Sequence, residues 1–350
     1  MSSSKTFTGN FFEDFRLGQV LKHATPRTIT VGDVSLYTAL YGPRFAIHSS
    51  DEFARSVGLP RAPVDDLLAF HMVFGKTVPD VSLNAVANLG YANGKFGVPV
   101  YPGDTISTSS TVTGLKQNSN GKTGVVYVNS VGKNQHGHVV LDYTRWVMVN
   151  KRDESKPAPE AVTPKLPSAV PAEELHVPAT LRPENYDFSL SGDKFGWSDY
   201  EVGEKIDHVD GMTIEEAEHM LATRLYQNTA KVHFDQFAAN SGRFKRRLIY
   251  GGHIISLARC LSFNGMANAF RVLAINGGSH ANPTFAGDTI YAYSEVLEKI
   301  ELPRRQDIGA LRVRLVATKN HPNADFPYKK DGKYDDSVVL DLDYTVAFPR

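Results

Sequence analysis

The sequence predicts an α+β protein made of two tandem copies of one unit, each an antiparallel sheet wrapped around a buried central helix. Three observations predict it. The first is a repeat: Leu17-Gly18-Gln19, Tyr41, His48, Asp51 and Phe53 return in order as Val202-Gly203-Glu204, Tyr226, His233, Asp235 and Phe237. Val100-Tyr101-Pro102-Gly103-Asp104-Thr105-Ile106 likewise returns as Thr284-Phe285-Ala286-Gly287-Asp288-Thr289-Ile290. The histidines lie 185 positions apart and the Gly-Asp pairs 184. That period is too long for a solenoid and suits duplicated domains. The second observation is an apolar segment of helical length in each copy. The third is the run of β-rich segments that follows each.

Each element has a local reason. A short helix opens each copy, with Thr30 and Asp33 as a capping box in the first and Thr213 and Glu216 expected as one in the second. A loop then carries the histidine. Next come Leu67, Leu68, Phe70, Met72, Val73 and Phe74, answered by Ile254, Ile255, Leu257, Ala258, Leu261 and Phe263. A helix without a polar face is buried on all sides. Segments such as 124–128 and 138–143, then 311–316 and 338–344, read as the surrounding strands. Seven of the 19 prolines fall between Pro157 and Pro183, which marks a linker. The expected division is residues 1–155, a linker 156–190, and residues 191–350.

Composition narrows the function. Lys plus Arg and Asp plus Glu balance at 38 each, which argues against nucleic-acid or membrane-surface partners. No apolar run follows Met1-Ser2-Ser3-Ser4-Lys5 or is long enough elsewhere to span a bilayer, so a cytoplasmic protein is expected. The single Cys260 excludes an internal disulfide and a cysteine-rich metal cluster. The histidines lack metal-ligand spacing, and no Gly-x-Gly-x-x-Gly or Gly-x-Ser-x-Gly occurs, so no metal and no nicotinamide or flavin cofactor is expected.

The segment Tyr226-Gln227-Asn228-Thr229-Ala230-Lys231-Val232-His233 resembles the signature of MaoC-like type-2 enoyl-CoA hydratases, with Asn228 at the Asp position and His233 at the His position. Leu248 through Ser256, with Gly251-Gly252, resembles that family's glycine-containing entry to the central helix. Residues 10–18, 74–80 and 224–233 are similar to one subgroup, the mesaconyl-CoA (2-methylfumaryl-CoA) hydratases. The resemblance implies a double hot-dog fold and a hydro-lyase. It implies reversible addition of water to mesaconyl-CoA, giving β-methylmalyl-CoA, in acetate or glyoxylate assimilation, with CoA as part of the substrate.

The chemistry asks for particular groups. Hydrating an unsaturated thioester builds enolate charge on the thioester oxygen, which needs preorganised donors. Gly251 and Gly252 at the start of a buried helix offer N–H groups and a favourable dipole. His233 suits proton transfer. Asn228 cannot be a base but can position water or the thioester. Either His233 acts alone as base and acid, or a carboxylate joins it; Asp235, Glu215 and Glu216 are the nearest. The first copy has Pro43 and His48 in these places, with Asp65-Asp66 before its central helix. A carboxylate there competes with an oxyanion, so the second copy is expected to catalyse and the first to shape the pocket. Substrate contacts are expected from Arg61, Ala62, Pro63 and Val64, from Asn93, Gly94, Lys95 and Phe96, and from Arg243 and Arg247. Arg61 or Lys95 would hold an acyl carboxylate or the pyrophosphate, and the basic loop the CoA phosphates. Two other readings stay open: hydration of straight-chain enoyl-CoA, and acyl-CoA binding without catalysis. A homodimer is the expected assembly.

Overall fold

The computed structural model describes residues 5–350; the polar opening Met1-Ser2-Ser3-Ser4 lies outside the described residues. The first half contributes β1 (Val20–Thr28), β2 (Ala85–Phe96), β3 (Thr105–Gln117), β4 (Thr123–Lys133) and β5 (Val139–Asn150). The second contributes β6 (Lys205–Asp207), β7 (Met212–Thr213), β8 (Arg271–His280), β9 (Thr289–Leu302), β10 (Arg305–Lys319) and β13 (Val338–Pro349). A small ribbon of β11 (Lys329–Lys330) and β12 (Lys333–Tyr334) stands apart.

The strands form one antiparallel sheet in the order β1-β3-β4-β5-β2-β8-β13-β10-β9-β6, with β7 also on β9. Read outward from the β2–β8 seam, the two halves have the same order. The seam pairs Tyr91 with Gly278 and Lys95 with Ala274. Edge-to-edge pairing of two hot-dog sheets therefore happens within one chain, as the duplication predicts.

Each half folds around its central helix, Asp66–Thr77 or Gly251–Leu261. Every residue of the first is buried, and the second is buried from Gly252 onward. Both helices share one apolar core with the inner faces of the sheet. Near the local twofold, residues 185 apart meet: the Tyr226 hydroxyl donates to the Tyr41 hydroxyl at 2.8 Å, and His71 Nε2 lies 2.8 Å from Ser256 Oγ.

The opening helices differ from one another. Thr30 and Asp33 form the expected capping box on Val31–Tyr41. In the second copy the helix Glu216–Leu225 follows Glu215, whose side chain makes no cap. Thr213 lies in β7 instead, with its hydroxyl 2.8 Å from that of Thr289. The repeat explains the correction, because Thr213 stands 185 residues after Thr28, whose hydroxyl meets that of Thr105 at 2.7 Å.

Candidate active site

His233 sits on the short helix Lys231–Phe234. Its Nδ1 lies 2.8 Å from the Leu248 carbonyl, which can only accept, so Nδ1 carries the hydrogen and Nε2 is left as an acceptor. Burial pushes its pKa down to about 4, against the opposing effect of that carbonyl. The ring is therefore a neutral base at neutral pH. Asn228 is buried, and its Oδ1 accepts the Ala230 N–H at 3.1 Å. What the side chain can present to a ligand is its NH₂ group, a donor.

The N-terminus of Gly251–Leu261 lies beside them. The Tyr250 N–H donates to His219 Nε2 at 2.9 Å, and the His253 N–H to the Tyr250 carbonyl at 2.9 Å. Among the described residues, the N–H groups of Gly251 and Gly252 have no protein acceptor. These are two adjacent donors at the positive end of a helix. Glycine is needed at 251 for space: a Cβ there would stand 2.3 Å from the His280 ring.

Phe74, Ser82, Asn88, Tyr91 and Arg145 from the first half line a cavity of about 280 Å³ with Asn228, His233, Tyr250, Gly251 and His280 from the second. Its ionisable lining groups are Tyr91, Arg145, His233, Tyr250 and His280; no Asp or Glu is among them. Asp235 caps the next helical turn by accepting the Ala238 N–H at 2.9 Å, and Glu216 pairs with Arg247 at 2.9 Å. A second imidazole, His280, also lines the cavity, and its Nε2 is 3.2 Å from the Tyr91 hydroxyl. Burial, with His233 nearby, pushes the His280 pKa down to about 4. Among the described residues no group of three or more His, Cys, Asp or Glu could hold a metal, and no helix is long and apolar enough to cross a membrane.

The profile of the mesaconyl-CoA hydratase family matches residues 3–329. The chain belongs to this family. It is 67% identical over 349 residues to a β-methylmalyl-CoA dehydratase of Chloroflexus aurantiacus, covering 99% of each chain. It is 59% identical over 346 residues to a mesaconyl-CoA hydratase of Cereibacter sphaeroides, covering 99% of this chain and 100% of that one. The crystal structure of a MaoC-domain dehydratase from Chloroflexus aurantiacus superposes with a TM-score of 0.98 at 67% identity, over 99% of both chains. A Mycobacterium tuberculosis protein described as a double hot-dog superposes at 0.78 with 23% identity over 98% of both, a likeness of fold.

In this mesaconyl-CoA hydratase family member the first copy keeps the frame of the site and fills its centre. His48 Nδ1 lies 3.2 Å from the Pro63 carbonyl, the counterpart of Leu248. Its Nε2 faces Asp66 Oδ2 at 3.7 Å, and Asp66 stands where the second copy has Gly251. Asp66 also accepts the Val272 N–H at 2.8 Å, and Asp65 accepts the Leu67 N–H at 2.9 Å. Asp65 thus holds the Leu67 N–H, the counterpart of the Gly252 N–H that the second copy leaves open, and the Asp66 side chain stands at the position of Gly251.

Of the expected site residues, His233, Asn228 and Gly251 line the cavity, and Gly252 lies just behind, against the Tyr250 and His71 rings. The expected substrate contacts lie elsewhere. Arg61 pairs with Asp51 at 3.9 Å, and the Ala62 N–H donates to the same carboxylate at 2.9 Å. Pro63 lines a small separate cavity with His48, and Val64 and Phe96 are core. Asn93 and Gly94 lie in β2 at the seam, where Gly94 packs on Ile275. Lys95 pairs with Glu174 at 2.9 Å. Both cations expected to hold an acyl carboxylate therefore already have acidic partners, so the cavity geometry does not support that role for them. Arg243 is exposed over the Phe244 ring, and Arg247 pairs with Glu216. Sequence reasoning missed Arg145 and His280. Arg145 left a signal: it interrupts an alternation of inward apolar residues, Leu141, Tyr143, Val147 and Val149.

The family member holds six histidines neutral in buried or half-buried positions. Burial pushes the pKa of His71 and His253 to about 3, His219 to about 2, and His208, His233 and His280 to about 4. An unfolded histidine titrates near ~6.5. Below that pH the unfolded chain binds protons that the folded one refuses, so stability is lost as pH falls from about 6.5 toward 4. Each histidine contributes about 1.4 kcal/mol per pH unit within that window. The melting temperature is expected to drop on the order of 10 °C between pH 7 and pH 5. Differential scanning fluorimetry across that range checks it, and a flat profile contradicts the neutral burial of these rings.

Proposed function

We propose that the protein is a hydro-lyase that reversibly adds water to mesaconyl-CoA, giving β-methylmalyl-CoA. The observation that carries this reading is one cavity holding an acceptor imidazole, His233, beside the unoccupied Gly251 and Gly252 N–H groups. The names of the two relatives support the same substrate.

The thioester oxygen points at the two glycine N–H groups. Asn228 donates from its NH₂ group to the water oxygen, while His233 Nε2 takes one water proton. The oxygen forms a bond to the β-carbon, and the π electrons move onto the thioester as an enolate that the helix N-terminus stabilises. The proton held by His233 returns to the α-carbon, so the ring ends as it began. The addition changes no overall oxidation state, and the reading needs no redox cofactor.

In this reading residues 191–350 supply the chemistry and residues 1–155 shape the pocket, with 156–190 between them. Arg243 and Arg247 bind the CoA phosphates, because their loop ends at Leu248 on the cavity wall. A cytoplasmic homodimer completes it. The test follows the enoyl-thioester absorbance with mesaconyl-CoA and crotonyl-CoA. Faster consumption of mesaconyl-CoA is expected. Preference for crotonyl-CoA would favour the straight-chain reading, and no change with either would favour a binding module.

A further inference from the structure

Arg145 is fully buried in β5 and lines the catalytic cavity. Its guanidinium has no carboxylate partner among the described residues. Nη2 donates to Thr77 Oγ1 at 2.7 Å and to Ser82 Oγ at 3.3 Å, and Nη1 to Asn88 Oδ1 at 3.4 Å. Its Nε is buried without any acceptor. Holding a cation out of water without an anionic partner is strongly unfavourable, so a lasting arrangement of this kind calls for an anionic visitor.

Two further observations point the same way. The chain repeats Asp142-Tyr143-Thr144-Arg145 as Asp343-Tyr344-Thr345-Val346, on strands at the same place in the two half-sheets. The fold therefore accepts valine at this position, and the arginine answers to the cavity rather than to the sheet. The cation also lies on the wall that leads to His233. The guanidinium stacks 4.4 Å from the Phe74 ring centre, Phe74 lies 5.6 Å from Tyr250, and Tyr250 lies 5.5 Å from His233.

We propose that Arg145 is the receptor for the free carboxylate of the acyl group, which makes the substrate class four- or five-carbon enoyl-CoA monothioesters of dicarboxylic acids. This rests on the hydratase reading above and adds its specificity determinant. In such a substrate the carboxylate is bonded to the carbon that water attacks, so its receptor must face the same cavity as the base, as Arg145 does. An ionised carboxylate there repels incoming hydroxide. Pairing it with the guanidinium removes that repulsion and fixes which face of the double bond meets His233.

The test compares kcat/KM for mesaconyl-CoA and crotonyl-CoA in the wild type, Arg145→Gln and Arg145→Lys. The ratio of the two is expected to fall at least 100-fold in Arg145→Gln and by less in Arg145→Lys, which keeps the charge without the planar fork. A ratio unchanged in Arg145→Gln overturns the proposal while leaving the hydratase reading intact. A wild type inactive on mesaconyl-CoA would instead sink the reading beneath it. Should the variants fail to fold, binding to the wild type decides: succinyl-CoA is expected to bind at least 10-fold tighter than butyryl-CoA, and equal affinities overturn the proposal.

Discussion

His233→Ala is expected to lower kcat for mesaconyl-CoA hydration by about three orders of magnitude, with a much smaller change in KM. The side chain makes one hydrogen bond, to the Leu248 carbonyl, so the substitution costs the fold about 1 kcal/mol. The glycine N–H groups and the CoA contacts remain, which is why binding survives while proton transfer does not. Stopped or steady-state assays at the enoyl-thioester band read the loss, and a circular dichroism melt checks the fold. Activity within tenfold of wild type would mean that another group, such as His280, is the base.

Gly75→Ala is expected to damage both stability and turnover, although alanine normally improves a helix interior by about 1 kcal/mol over glycine. Gly75 lies in the buried first central helix, and a Cβ there would stand 1.7 Å from the Tyr226 carbonyl oxygen and 3.6 Å from the Asn228 nitrogen. These are backbone atoms of the catalytic loop, so no rotamer change relieves the clash. The helix or the loop must shift, at a cost of about 3 kcal/mol or more. The shift displaces Asn228, so kcat should fall with the melting temperature. A variant as stable and active as wild type would show that the first helix does not position the second copy's loop.

This contact shows how the two halves share work. The first copy lacks the second copy's pair of open donors, because Asp65 accepts the Leu67 N–H and Asp66 stands in place of Gly251. It still supplies the helix that supports the catalytic loop, half of the cavity wall, and Arg145. In the proposed reading the first half gives up its own centre and serves as the other half's wall.

The parts of this arrangement that were legible in the sequence are local ones. The apolar central helices, the alternating strands and the repeat follow from patterns within a few residues or at one fixed offset. His233, Asn228 and the Gly251-Gly252 turn lie within 25 residues of each other, so their grouping could be read directly. Arg145 and His280 are far from that segment and reach the cavity only because β5 and β8 both flank β2. Strand neighbours of that kind are set by tertiary pairing. Arg61 and Lys95 border the right loops, which is why the sequence places them at the ligand. Their carboxylate partners Asp51 and Glu174 become visible only once the chain is folded. The misplaced cap at Thr213 has a related cause, since a two-residue slip in aligning the copies exchanged a strand residue for a cap.

We propose that, of the two histidine sites related by the repeat, only that of His233 performs the hydration. The mesaconyl-CoA hydration rates of His48→Ala and His233→Ala, both at saturating substrate, decide between them. His48→Ala should keep more than a tenth of wild-type turnover and His233→Ala about a thousandth. Equal losses in the two variants, or a larger loss in His48→Ala, would overturn the assignment of the base to His233.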